Sequence, residues 1–162
     1  MSHHLKEEFW DRIEDARVGM LSTGFGRTVP MSHYADDDED GNVMWFITAK
    51  DTDVAKAAAA GKDVQYTVTS DKEGLYAAID GKLSLSTDTN KLDDIWNVFA
   101  AAWFRDGKDD PNVQLVRLDL TKAEVWATEG KLAFLYEVAK ANLTDDTADA
   151  GHHGTIVFRK AA

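Results

Sequence analysis

The chain has no cysteine, and this absence removes one group of chemistries at once. Without thiols there is no disulfide framework, no thiolate nucleophile and no cysteine-ligated zinc or iron–sulfur cluster. The absence suits a reducing compartment, so we expect a cytoplasmic protein. The charged opening MSHHLKEEFWDR is unlike a signal peptide, and no segment approaches the roughly 18 apolar residues of a membrane span. We therefore expect no membrane partner.

Positive charge is also scarce. Lysine and arginine number 18 against 29 aspartate and glutamate residues, which gives a formal net charge of −11. Such a charge repels a nucleic-acid backbone, so nucleic acid is not an expected partner. An anionic cofactor would need local compensation from lysines and backbone amides.

Hydrophobic patterning predicts one domain over residues 1–162, built mainly from β-strands. Apolar spacing near 3.6 residues predicts helices over 5–16, 88–102 and 131–143, and the alanine-rich segment after residue 52 predicts a short one. The predicted strands are neighbours in sequence, joined by tight turns: 17–23, 28–34, 43–48, 64–69, 75–86, 113–120 and 123–128. The tail, 145–162, adds a short strand at 155–159. This order favours an antiparallel barrel with helices at its rims over a parallel α/β sheet.

The segment VMWFITAKDTDVAK, residues 43–56, reads as a buried strand, a polar turn and a helix start. Asp51 or Thr52 is the predicted N-cap. Helix N-termini attract anions, and Lys50 and Lys56 add positive charge, so this turn could hold a phosphate. The alternative is an ordinary connection without a ligand, because the glycine spacing of nucleotide-binding loops is lacking.

Other motifs give no catalytic or metal-binding prediction. The acidic segment 36–41 imitates the first half of an EF-hand loop, but the position that needs a bidentate glutamate is Ile47. Histidine pairs at 3–4 and 152–153 lack a third ligand at a suitable spacing. There is no G-x-S-x-G elbow for a hydrolase. We therefore predict no metal site and assign no catalytic residue.

Read in order, a series of segments resembles one family along nearly the whole chain: FWDRIEDARVGMLST, VPMSHY, DGNVMWFITAKDTDVAK, LYAAIDGKLSLS, WFRDGKDDPNVQLVRLD, AEVWAT and GHHGTIVF. The chain resembles the general stress protein branch of the pyridoxamine 5′-phosphate oxidase-like FMN-binding split barrels. The resemblance implies a mainly β fold, a six-stranded antiparallel Greek-key split β-barrel with peripheral helices. It also implies a homodimer that holds FMN in each of two clefts at the subunit interface.

The resemblance implies a set of cofactor-binding residues, carried over by position. The strand from Val29 to Tyr34, which includes Pro30, Met31 and Ser32, would run beside the isoalloxazine. Ile47 and Thr48 would contact the ring or the ribityl chain. Thr52 would reach the phosphate, Tyr76 would flank the ring, and Trp126 would come from the partner subunit.

Two positions depart from the family pattern. Relatives commonly carry Arg and Lys where this chain has Val29 and Val54, so Lys50 or Lys56 would have to substitute. Each lost charge-assisted hydrogen bond is worth about 1.5–3 kcal/mol, and flavin affinity would fall by one to several decades.

Three functions remain open from the sequence. The first is an FMN-binding flavoprotein with low reductase or oxidase activity, and the second is a flavin-binding or flavin-buffering protein without catalysis. The third is a split barrel that has lost FMN and binds another flat ligand or none. Residues that bind phosphopyridoxal in the true oxidases are not evident, so oxidation of vitamin B6 is not expected.

Overall fold

The computed structural model describes residues 2–36, 42–128, 131–144 and 151–159. Five helices are described: α1 (Ser2–Ala16), α2 (Asp53–Ala59), α3 (Thr89–Ile95), α4 (Val98–Ala101) and α5 (Lys131–Leu143). The described strands are β1 (Val18–Ser22), β2 (Val29–Ser32), β3 (Tyr34–Asp36), β4 (Val43–Ala49), β5 (Asp63–Ser70), β6 (Leu75–Ser86), β7 (Val113–Thr128) and β8 (Gly151–Val157). A single 3₁₀ turn, Gly107–Asp109, precedes β7.

The described strands form one antiparallel sheet in the order β2-β1-β5-β6-β7-β4-β3, with β8 paired to β7. Strand β7 organises the sheet because β6 follows one of its edges for almost its full length. Its other edge pairs first with β4 and then with β8. The sheet curls into a half-barrel with helices around it, which confirms the predicted mainly antiparallel β fold. The described strands number eight, two more than the six expected.

The strand boundaries differ from the predicted ones in three places. The predicted strand 28–34 is divided at His33 into β2, which pairs with β1, and β3, which pairs with β4. Strand β8 begins at Gly151, four residues before the short strand predicted at 155–159. By contrast, the two strands predicted over 113–120 and 123–128 form one continuous strand, β7. The register of its pairing with β6 shifts between Asp80 and Gly81. Such a shift is typical of a β-bulge.

The helix predicted over 88–102 is broken into α3 and α4. Trp96 leaves the helical region, and Asn97 starts a new helix as its N-cap. Its side chain accepts hydrogen bonds from the backbone N–H groups of Phe99 and Ala100. Capping by asparagine therefore overrides the continuous apolar periodicity. Most of the acidic hairpin loop, residues 37–41, lies outside the described residues.

The core lies between the sheet and two helices. Helix α1 places Phe9 and Ile13, both fully buried, against the strands, as its apolar stripe predicts. Burying each such side chain stabilises the fold by about 1.5–3 kcal/mol. Helix α2 contributes Val54, Ala57 and Ala58 to the same core. None of the described helices has the length and apolar character needed to cross a membrane.

Candidate functional site: a cleft at the split of the sheet

A cleft opens where the sheet is split. Strand β3 pairs with β4 only as far as Trp45, and the preceding strand β2 pairs instead with β1. Within the described chain, no strand pairs with Ile47–Ala49 on that edge. The result is a cleft of about 470 Å³ between β2 and the second half of β4.

The lining of the cleft is uncharged and largely apolar. It consists of Val18, Pro30, Met31, Ser32, Tyr34, Ile47, Thr48, Ala49, Phe99, Ala100, Trp103, Phe104 and Asn112. The volume falls within the roughly 300–1,000 Å³ typical of small-molecule sites. Apolar walls with a few hydroxyl and amide groups suit a flat, mostly apolar ligand. Five predicted site residues meet here: Pro30, Met31, Ser32, Ile47 and Thr48.

The backbone of Ile47 adds a donor and an acceptor to the cleft. At the two ends of β4, Asn42 O accepts from Leu120 N at 2.9 Å and Lys50 N donates to Asn112 O at 3.0 Å. The backbone groups of the even-numbered residues from 42 to 50 therefore point toward β7. Backbone groups alternate between the two edges of an antiparallel strand. The N–H and C=O groups of Ile47 therefore point to the unpaired edge.

Thr48 and Thr52 form a small hydroxyl network at the start of α2. Thr52 donates to Ala49 O at 2.8 Å and accepts from Ala55 N at 3.2 Å, which confirms it as the N-cap. The hydroxyls of Thr48 and Thr52 lie 3.1 Å apart. Because Thr52 has already used its only proton, Thr48 is the donor of this bond. Thr52 has no proton left for a phosphate, whereas Thr48 retains acceptor capacity toward the cleft.

The predicted cations lie outside the cleft lining. Lys50 directly follows Ala49, and both Lys50 and Lys56 are exposed. Val54 is only 3% exposed and belongs to the core, so this position packs rather than binds. Val29 is partly buried against the same core and does not line the cleft. The residues that replace the family's cations therefore contribute to packing.

Tyr76 and Trp126 lie away from this cleft, on the outward face of the sheet. They are cross-strand partners on β6 and β7, and His153 on β8 pairs with Trp126 on the other side. The rings of Trp126 and His153 stack at 4.5 Å with an interplanar angle of 6°. We call Tyr76, Trp126 and His153 the aromatic row. Trp126 is 41% exposed, so the row has room for a further contact.

Hydrogen bonds to carboxylates hold the two ends of the aromatic row. Tyr76 donates to Asp71 at 3.2 Å, and His153 Nε2 lies 3.0 Å from Glu124. Partial burial, and then the bond to Asp71, raise the pKa of Tyr76. His153 was missed as a member of this row because the terminal strand was predicted to begin after it.

A buried polar network supports the cleft from behind. His33 lies between the lining residues Ser32 and Tyr34, but its ring turns inward and is only 5% exposed. Nε2 is 2.7 Å from Ile13 O, so it carries the proton, and Nδ1 is 2.6 Å from the Tyr66 hydroxyl. That hydroxyl is also 2.9 Å from Met31 O. Burial lowers the pKa of His33 and raises that of Tyr66.

The outer wall of the cleft comes from the segment around α4. Trp103, Phe104 and Asn112 belong to the family-resembling segment WFRDGKDDPNVQLVRLD, whereas Phe99 lies before it. A continuous helix over 88–102 gave no reason to direct Phe99 toward a ligand. The break at Asn97 is the signal that could have identified it, since asparagine is a preferred N-cap.

Metal ligation has no geometric support among the described residues. No three histidine, aspartate or glutamate side chains converge there. His152 and His153 each contact one glutamate, Glu8 at 3.1 Å and Glu124 at 3.0 Å. The acidic loop 37–41 lies outside the described part of the chain.

A curled antiparallel sheet with a ligand-sized cleft at its split is the architecture of the split-barrel proteins. The chain belongs to the pyridoxamine 5′-phosphate oxidase-like family, whose sequence profile matches residues 4–149. This confirms the family resemblance read from the sequence. The chain matches no curated protein sequence.

Solved structures agree with this assignment. A Jannaschia sp. CCS1 protein provisionally called general stress protein 26 is 49% identical, with a TM-score of 0.89 over 98% of this chain and 100% of its own. The general stress FMN/FAD binding protein of Xanthomonas citri is 34% identical, with a TM-score of 0.69 over 80% of this chain and 92% of its own. General stress protein 26 of Bacillus anthracis, at 21% identity and a TM-score of 0.67 over 78% of this chain and 96% of its own, shares the fold.

Proposed function

We propose that this chain is an FMN-binding flavoprotein of the general stress protein type. The observation that carries the proposal is the uncharged, largely apolar cleft at the split between β2 and β4. It occurs in a chain 34% identical to a general stress FMN/FAD binding protein. When bound, a flavin would supply hydride or electron chemistry that the side chains do not provide.

The cleft offers complementary groups for an isoalloxazine ring. Met31 and Pro30 provide apolar contact on the β2 side. On the β4 side, Ile47 presents a backbone donor and acceptor, and the Thr48 hydroxyl oxygen can accept from a ligand N–H. These groups fit a flat heterocycle with polar atoms along one edge.

We assign binding of the flavin phosphate to Lys50. Its position directly after Ala49 places it at the end of the strand that lines the cleft. Thr52 is committed as an N-cap, and Lys56 lies farther along α2, so Lys50 is the stronger candidate. A cleft of about 470 Å³ favours FMN over FAD, whose adenosine would lie outside the lining described above.

A homodimer would complete the site. The predicted flavin residues separate into two groups on one chain, the cleft lining and the aromatic row, and neither Tyr76 nor Trp126 lines the chain's own cleft. In an isologous dimer the same surface is used twice, so each flavin could receive the cleft from one chain and the row from the other. The 41% exposure of Trp126 leaves that contact available.

A second candidate function is flavin binding without catalysis. No carboxylate, imidazole or amine is among the residues that line the cleft, so no side-chain acid or base stands ready there. Anaerobic bleaching of the bound flavin by NADH or NADPH would favour an oxidoreductase of low activity. No bleaching would favour storage or buffering.

Fluorescence titration of cofactor-stripped protein with FMN, FAD and riboflavin tests the proposal. We expect saturable binding that prefers FMN. Ser32→Trp should block the cleft and abolish binding, because Ser32 is exposed and lines it. Thr28→Trp, just before β2 and outside the lining, serves as the matched control. No binding of any flavin at micromolar concentration would contradict the proposal and favour a barrel that has lost FMN.

A further inference from the structure

Two aromatic rings at the mouth of the cleft are mostly exposed. Phe99 is 69% exposed and Trp103 is 83% exposed, yet both belong to the cleft lining. Each residue therefore borders the cleft while most of its surface extends past it. We call these two residues the aromatic lip.

The aromatic lip is held in place by its own short helix. Asn97 accepts from Phe99 N at 3.1 Å and from Ala100 N at 2.9 Å, and its amide donates to the Tyr34 hydroxyl at 3.0 Å. Ala100 and Phe104, both only 8% exposed, anchor the segment to the protein. These contacts order the backbone that carries the two rings before any ligand binds. Ligand binding would therefore cost little entropy in ordering this backbone.

The electrostatic surroundings select against anions. The cleft lining has no charged side chain, and the segment that carries the lip is rich in carboxylates: Asp93, Asp94, Asp106, Asp109 and Asp110. One of its lysines, Lys108, is paired with Asp93 at 3.0 Å. An exposed aromatic surface in this setting suits stacking with an uncharged ring.

We propose that the aromatic lip is a second binding subsite, which takes an uncharged planar aromatic molecule beside the flavin. The inference rests on the proposed function, because the flavin occupies the inner cleft. Phe99 and Trp103 determine the specificity of this subsite, and Asn97 positions them. Anionic aromatic molecules are disfavoured by the local carboxylates and by the net charge of −11.

Calorimetric titration with a matched pair of redox-inert probes tests this subsite. On FMN-loaded protein we expect 2-naphthol to bind and naphthalene-2-sulfonate to bind at least tenfold more weakly. Phe99→Ala and Trp103→Ala should each weaken naphthol binding about five- to tenfold, while Trp103→Phe should retain most of it. Val98→Ala is the control, because Val98 is 78% exposed on the same helix but does not line the cleft.

Several outcomes would overturn the inference. Equal affinity for the two probes would contradict the charge selection, and unchanged affinity in both alanine variants would contradict the aromatic lip. Displacement of naphthol by FMN, or lost FMN affinity in Trp103→Ala, would assign the rings to the flavin and leave the proposed function intact. Failure of FMN to bind at all would instead overturn the proposed function and this inference with it.

Discussion

The imidazole of His33 is buried behind the cleft, where it joins two distant parts of the chain. Ser32 and Tyr34 were expected beside the ligand, and both line the cleft. The histidine between them looked isolated in the sequence, because its partners Ile13 and Tyr66 are 20 and 33 positions away. Residues adjacent in a motif are predictable, whereas a hydrogen-bond network assembled by the fold is not.

His33 should make stability depend on pH. Burial lowers its pKa in the folded state below the unfolded value near 6.5, so the unfolded chain binds the proton more tightly. The contribution of neutral His33 to the free energy of unfolding is fully present above about pH 6.5. This contribution is lost as the pH falls toward the pKa of His33 in the folded state. Urea unfolding between pH 7.5 and 5.5 should therefore show a steeper loss for the wild type than for His33→Gln.

His152→Gln is the matched control for this experiment, since His152 is exposed and its ring is hydrogen-bonded to Glu8 at the surface. At pH 7.5 we expect His33→Gln to cost about 1–3 kcal/mol through imperfect replacement of the buried hydrogen bonds. Parallel pH dependences for the wild type and His33→Gln would contradict the assignment of this titration to His33.

Lys50 should contribute to phosphate binding alone. Loss of one charge-assisted hydrogen bond, worth about 1.5–3 kcal/mol, predicts that Lys50→Ala weakens FMN binding by tenfold or more. Riboflavin has no phosphate, so its affinity should hardly change, and Lys56→Ala should have the smaller effect on FMN. Equal losses for FMN and riboflavin, measured by fluorescence titration, would exclude this role for Lys50.

Elements defined by local signals were the most predictable part of the fold. Helices α1 and α5, strand β6 and the Thr52 cap follow directly from periodicity, length and capping chemistry. Elements that depend on a partner strand were less predictable, because pairing is decided across the sheet. Strand β8 forms only because the second half of β7 offers it an edge.

The break between α3 and α4 matters for the cleft, and Asn97 controls it. Asn97→Ala removes both capping bonds and the bond to Tyr34, so we expect a loss of about 1 kcal/mol in the free energy of unfolding. Naphthol binding should weaken as α4 frays. Urea unfolding and calorimetry measure the two effects.

Asp88→Ala is the matched control for Asn97→Ala. Asp88 caps α3 by accepting from Lys91 N at 3.0 Å, and it does not line the cleft. Asp88→Ala should lower the free energy of unfolding to a similar extent without changing the affinity for naphthol. A naphthol affinity unaffected by Asn97→Ala would show that α4 does not position the aromatic lip.

For the molecule as a whole, the family resemblance predicted more about the candidate site than hydrophobic patterning did. Hydrophobic patterning alone predicts an antiparallel barrel with helices at its rims. The order of the motifs adds the prediction of a ligand site between two particular strands. The resemblance assigns Trp126 to the partner subunit, but neither source predicts that Tyr76 lies beside Trp126 and outside the cleft lining. Only the folded chain shows that Met31 and Thr48 share a cleft while Trp126 lies on another face.

Trp126 should couple flavin binding to assembly. If its ring meets the flavin of a partner subunit, Trp126→Ala should weaken both FMN affinity and self-association. Sedimentation velocity with and without FMN measures the second effect, and fluorescence titration measures the first. A fully flavinated dimer of the variant would count against this role.

The most direct test of the central claim is the flavin content of a purified mixed dimer. One chain would carry Ser32→Trp, which blocks its cleft, and the other Trp126→Ala, which damages its aromatic row. In an isologous dimer one site then retains an intact cleft and an intact row from opposite chains. A site shared between two chains predicts one tightly bound FMN per mixed dimer and weak or no binding in either mutant homodimer. No tight binding in the mixed dimer, or full occupancy in the Trp126→Ala homodimer, would contradict a flavin site shared between two chains.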